Sequence, residues 1–169
     1  NEAGYMDLTT KKRFGGKTYW VWLYSCRFFA KASSGDAKIN KLFNGVHSIL
    51  GFATDVSAEN ESIEVPKEFA KQWVTNGKTI WDSFKLAVQH QLHDTGNTAG
   101  SAEYLKVNIT EVNVPAIAYR YGFIDGAIHA PANEKYNSII HGPVFNTDVY
   151  NNDASHLIVK KQVYTGSTY

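Results

Sequence analysis

A chain of 169 residues, 43% hydrophobic and 20% charged, carries enough apolar material for one domain with its own core, expected over residues 1–169. Formal net charge is +1 and no basic run exceeds Lys11-Lys12-Arg13, so nucleic acid is not an expected partner; no apolar stretch approaches the roughly 18 residues that span a bilayer. The single cysteine, Cys26, excludes an intrachain disulfide.

Residues 1–16 read as an irregular segment ending in Gly15-Gly16. Thr18 to Cys26 is aromatic, β-branched and almost uncharged, which predicts a strand over 19–25 covered on both faces, with Trp22 and Leu23 both buried. Ser33, Ser34 and Gly35 signal a loop, and Asp36 can cap a short helix carrying Ile39, Leu42 and Phe43. Asn44-Gly45 supplies its stop. Val46 to Phe52 is a second apolar strand, expected to lie parallel beside the first because a helix-containing crossover joins them. After a polar loop over 53–65, Pro66 opens a helix with Phe69, Ala70 and Trp73 on one face, closed by Asn76-Gly77. Thr79 caps a longer helix in which Ile80, Phe84, Ala87, Val88 and Leu92 keep helical spacing.

Beyond a Gly, Ser, Thr and Asn-rich join at 94–101 the period changes to two. Leu105, Val107 and Ile109 alternate with polar residues, the parity shifts near Thr110-Glu111, and Ile117, Tyr119 and Tyr121 alternate again. Residues 122–155 are rich in turn formers around a short strand at Ser138–Ile140, and Leu157 to Tyr164 reads as a final strand. The expected architecture is α/β: a three-layer sandwich with a mostly parallel sheet in residues 18–93, and a β-rich extension over 102–169 packed on it.

The run Tyr24-Ser-Cys26 ending a strand, then Asn44-Gly-Val-His-Ser-Ile-Leu-Gly-Phe-Ala-Thr54, then Asn76-Gly-Lys-Thr-Ile-Trp-Asp-Ser-Phe84, resembles the second half of the caspase, gingipain and separase-type fold. It is most similar to poorly characterised, often exported bacterial and archaeal proteins of that fold. The resemblance implies that Cys26 takes the nucleophile's place at the end of its strand and that Thr54 and Asp55, with Ser57 and Glu59 beyond, line a substrate cleft in which Asp55 meets a basic side chain. The family's catalytic histidine ends an earlier strand and is followed by Gly. None of the 25 residues before Cys26 is His, whereas His141-Gly142 reproduces the pattern after the cysteine.

Two readings follow. In the first, the chain is a non-catalytic caspase-like domain with a binding or structural role. In the second, it is the Cys-bearing part of a cysteine peptidase, with Cys26 as nucleophile and His141 as base. His47 reads as a satisfied core or edge histidine. His90 and His93 share a helix face next to Asp94 but lack a fourth ligand, so no metal is expected; nor is a cofactor. The tryptophans read as core. Exposed aromatics are expected instead among Tyr119, Tyr121, Tyr136 and Tyr150. The expected partner is a protein or peptide, including another segment of the same precursor. A start at Asn1, one Met, many Asn and Thr, and sequons at Asn60 and Asn108 lean towards an extracellular or cell-surface location.

Overall fold

The computed structural model describes residues 18–25, 27–43, 46–54, 64–96, 114–120, 122–124, 127–138 and 156–162. Strands β1 (Trp20–Trp22) and β2 (Ser48–Phe52) pair in parallel, with Trp20 opposite Ser48 and Trp22 opposite Leu50. The connection between them carries α1 (Ala37–Asn40), whose first turn is capped as expected: Asp36 Oδ1 accepts from the N–H groups of Lys38 and Ile39.

On the other side of β2 lies β3 (Pro115–Arg120), running antiparallel, with Phe52 opposite Pro115 and Ser48 opposite Tyr119. Parallel pairing needs a crossover that returns the chain to the end where the neighbour began. Here β3 starts beside the end of β2, so it must run the other way. The sheet is therefore mixed rather than mostly parallel.

Two short strands, β4 (Gly122–Ile124) and β5 (Ala127–His129), pair with each other, and β6 (Leu157–Lys161) pairs antiparallel with β3, which gives the four-stranded order β1-β2-β3-β6. The β-rich C-terminal stretch thus extends the same sheet through β3 and β6. Residues 105–109 and 139–140, expected as strands, lie outside the described residues, and Tyr136–Ser138 is a 3-10 turn.

Alternation along β2 feeds two apolar clusters. Ile49 joins Phe29, Ile39, Leu42, Ala116, Ala118 and Leu157, while Leu50 and Phe52 join Val65, Phe69, Phe84, Val88, Ile117 and Tyr119. All five residues of β2 and all six of β3 are buried. Each fully buried Leu, Ile or Phe contributes about 1.5–3 kcal/mol. At Gly51 an added Cβ would stand 3.0 Å from the Phe29 ring and 3.3 Å from the Leu23 carbonyl oxygen, so glycine is what lets the 23–29 segment press onto β2.

Strand β1 departs from expectation. Trp22 and Leu23 are half-buried, because β1 is the terminal strand of the described sheet and has a neighbour on one side only. At the opposite edge, β6 turns Lys160 and Lys161 to solvent, whereas Trp20–Trp22 carries no charge.

The helices pack over the Leu50 and Phe52 face. Helix α2 (Glu64–Ala70) starts two residues before Pro66, which therefore sits in the first turn, where its missing N–H costs nothing. It continues into a π-helical turn, Lys71–Thr75, that ends at Gly77 with φ +63°. Helix α3 (Ile80–Gly96) is capped by Thr79, whose Oγ1 accepts from the Asp82 N–H at 3.1 Å and donates to Asp82 Oδ2 at 2.9 Å. Hydrogen bonding from Lys85, with help from Thr79, holds the Asp82 carboxyl below its usual range against the opposing effect of partial burial. Among the described residues no helix is long and apolar enough to cross a membrane.

Candidate functional site

The two ends of β2 hold different chemistry. At its far end, Leu23 donates its N–H to Leu50 O, Arg27 to Thr54 O and Phe29 to Phe52 O, each at 2.9 Å. The partners climb from 50 to 54 and then fall back to 52, so the chain between 23 and 29 rises past the end of β2 and folds back along it. Tyr24, Ser25 and Arg27 are exposed there. Arg27 has φ +57° and is the non-glycine residue in the left-handed region among those described, a conformation that costs a residue with a Cβ roughly 1–2 kcal/mol.

Thr54 is half-buried, and its side chain has structural work: Oγ1 accepts from the Val114 N–H at 2.9 Å, which ties the end of β2 to the start of β3. Cys26, Asp55 and His141 lie outside the described residues, as do Ser57, Glu59, Asn60 and Asn108.

The near end of β2 is a buried polar cluster. Strict alternation from Ile49 would aim His47 into the Ile39 and Leu42 cluster. Instead the N–H groups of His47 and Ser48 both reach Tyr19 O, at 2.6 and 3.3 Å, the two-on-one pattern of a bulge. The bulge turns His47 towards the helix-covered face, where its Nδ1 lies 2.5 Å from Glu134 Oε1. The other carboxylate oxygen of Glu134 accepts from Trp20 Nε1 at 2.6 Å. His47 is 0% and Glu134 3% exposed. With Glu134 ionised and so only an acceptor, the imidazole proton on this nitrogen is fixed at Nδ1.

Aromatic rings close the cluster: Tyr19 stacks on His47 at 4.9 Å, and Trp20 meets it edge-on at 5.6 Å. Arg120, 1% exposed, follows Tyr119 on β3, one position beyond the Ser48–Tyr119 pair.

Glu134 is also pinned through its backbone. Its carbonyl accepts from the Ile80 N–H at 2.8 Å, and the next residue, Lys135, bridges to Thr79. One residue therefore joins β1, β2 and the start of α3. Sequence reasoning placed His47 as a satisfied histidine beside the first strand and missed Glu134, which sits 87 positions away in a stretch whose composition signals only turns.

His47 and Thr54 are seven positions apart on extended chain, roughly 20 Å at about 3.3 Å per residue. His47 thus belongs to the opposite end of β2 from the residues flanking Cys26. His156 precedes β6 at the His47 end, since Leu157 pairs with Arg120. His90 is exposed on α3, and His93 lies one turn further along the same helix. Among the described residues no group of three or more His, Cys, Asp or Glu could hold a metal ion. No family model, no curated protein and no solved structure matches this chain.

Proposed function

We propose that this chain is a caspase-like α/β domain of an exported protein, a three-layer sandwich in architecture, with a binding or structural role rather than a catalytic one. Two features support the architecture: a parallel pair, β1 and β2, joined by a helix-containing crossover, and apolar clusters on both faces of β2.

The observation that carries the non-catalytic role is the placement of His47. A general base must come within hydrogen-bond reach of the proton it takes. The His–carboxylate pair formed by the described residues is sealed from solvent and stands at the far end of β2 from the turn that begins at Arg27. A protein or peptide partner would meet the molecule at that turn, where Tyr24, Ser25 and Arg27 are exposed. Open α/β sheets present ligands at the carboxyl ends of their parallel strands.

Alkylation of Cys26 by iodoacetamide as a function of pH tests the reading. Slow labelling with a midpoint at or above the ordinary thiol value of about 8.5 is expected. Rapid labelling at pH 6 would overturn it.

The alternative, Cys26 as the nucleophile of a caspase-type cysteine peptidase, draws on one observation, the left-handed Arg27 directly after it. Strained backbone concentrates at functional sites. In that case labelling at pH 6 is fast, and Cys26→Ala abolishes cleavage of a peptide library in which His141→Ala does the same.

A further inference from the structure

We infer that the layer formed by residues 27–43, with Lys161 of β6 beside it, is a docking surface for an acidic polypeptide segment. This rests on the reading that a protein or peptide meets the molecule at the Arg27 turn, and it names that partner's chemistry.

The layer covers the sheet face opposite the helices. Phe29, Ala32, Ile39, Leu42 and Phe43 turn inward and pack with Ile49, Ala116, Ala118 and Leu157. The cations are left outside: Arg27, Lys31, Lys38 and Lys41 are all exposed. Lys38 and Lys41 stand three positions apart in α1 and its C-cap, so they share one side of that turn. Lys161 joins them from β6, where its Nζ donates to Ala30 O at 3.1 Å, next to Lys31 in the chain. The same strand holds the middle of the layer: Gly35 N–H donates to Leu157 O, and Ser34 Oγ accepts from Val159 N–H, both at 3.0 Å.

Counter-charge is missing from this layer. Its one acid, Asp36, is half-buried and spends its carboxylate capping α1. Among the described residues, Lys31, Lys38 and Lys41 have no ion pair. The helix layer over residues 64–96 is balanced instead, with four lysines and four acids. There Lys67 pairs with Glu64 at 3.1 Å, Lys71 with Glu68 at 3.2 Å and Lys85 with Asp82 at 2.8 Å. The whole chain carries a net charge of only +1, so the excess is a property of one face. Such a face steers and holds a partner of opposite sign.

The residues exposed between the cations choose among anionic partners. They are small, namely Ala30, Ser33, Ser34, Gly35 and Ala37, so an extended chain can come within reach of several ammonium groups at once. Lysine is a point charge on a flexible stem, which carboxylates satisfy without a fixed geometry. The large apolar residues exposed among those described are Tyr24, Val74, Leu86 and Tyr136, none of them within 27–43. The layer therefore offers neither side chains to insert into a bilayer nor aromatic platforms for nucleic-acid bases.

Fluorescence anisotropy of a labelled poly-glutamate peptide, titrated with the whole chain at neutral pH and low salt, tests the surface. Binding should weaken as salt rises, and the Lys31→Glu, Lys38→Glu, Lys41→Glu triple variant should lose about tenfold or more in affinity. The charge-matched triple Lys67→Glu, Lys78→Glu, Lys135→Glu, all at exposed positions, should keep it. No binding, an equal loss in both triples, or tighter binding to phosphatidylserine-containing vesicles or a DNA duplex at the same salt would overturn the inference. Circular dichroism checks folding; if the first triple does not fold, replacing the same lysines by glutamine decides. Slow Cys26 alkylation without peptide binding sinks the acidic partner and leaves the non-catalytic reading standing.

Discussion

The near end of β2 is dry, polar and closed, whereas the far end is wet and strained. At the near end a histidine and a glutamate are held inside aromatic walls and bonded to each other. At the far end the chain folds back on itself beside Thr54, with Arg27 in a conformation most residues avoid. The difference teaches that buried ionisable residues are a poor guide to where this molecule meets others. The buried His47–Glu134 pair holds elements together, while the surface available to a partner is a turn pinned by backbone hydrogen bonds.

Four substitutions probe this contrast. Glu134→Ala should have the largest effect, because it leaves His47 buried without its carboxylate: about 3–5 kcal/mol, read as a lowered urea midpoint. A loss under about 1 kcal/mol, the scale of an exposed pair, would mean the near end is not closed at all. Leu50→Ala, in the middle of β2, gives the apolar reference and should cost about 2–5 kcal/mol. Gly51→Ala should cost about 1–3 kcal/mol, since its new methyl meets the Phe29 ring and the Leu23 carbonyl. It sharpens the comparison, because the strain falls on the segment that leads into the far turn. Thr54→Val removes only the hydroxyl that accepts from Val114 N–H and should cost about 1 kcal/mol. An effect as large as that of Glu134→Ala would make the two ends alike.

A smaller expectation concerns pH. The Asp82 carboxyl is held low in the folded protein, so its contribution is present above the unfolded carboxylate value of about 3.9 and fades as pH falls through the folded one. Its ion pair with Lys85 is partly exposed, so solvent screening discounts that contribution. Thr79→Ala should shrink this acid sensitivity, and it should lower stability by about 0.5–2 kcal/mol through the lost cap.

Where neighbours in sequence are neighbours in space, the amino-acid pattern was readable. Asp36 and Thr79 cap the helices they precede, Gly77 takes the left-handed stop after α2, and the two apolar runs at 20–22 and 48–52 pair in parallel. The misreadings come from long-range context. The uncharged Trp20–Trp22 run looked doubly covered, but a terminal strand lacks the second neighbour that would complete its burial. Strand β3 read as apolar–polar alternation on Ile117 and Tyr119, yet its other face is Ala116 and Ala118, equally buried, so the alternation is of large and small side chains. His47 was recognisable as a partnered histidine. Its partner was not, because a glutamate in a turn-rich stretch gives no local sign of burial, and the bulge that turns His47 towards it leaves no mark in composition.

The pairing of β2 with β3 also bears on how fast the chain reaches this structure. Phe52 and Pro115 are partners across a long stretch of sequence, as are Trp22 and Leu50 across a shorter one. Helices α2 and α3, by contrast, are consecutive and pack against each other. Closing a long loop spends entropy before any contact rewards it, so sheets assembled from distant strands fold slowly, in milliseconds to seconds. The helical pair can condense around Phe69, Phe84 and Val88 well before β3 arrives, and until then the apolar face of β2 waits uncovered. In a refolding experiment, helical circular dichroism should therefore recover ahead of amide protection in Ala116 to Tyr119.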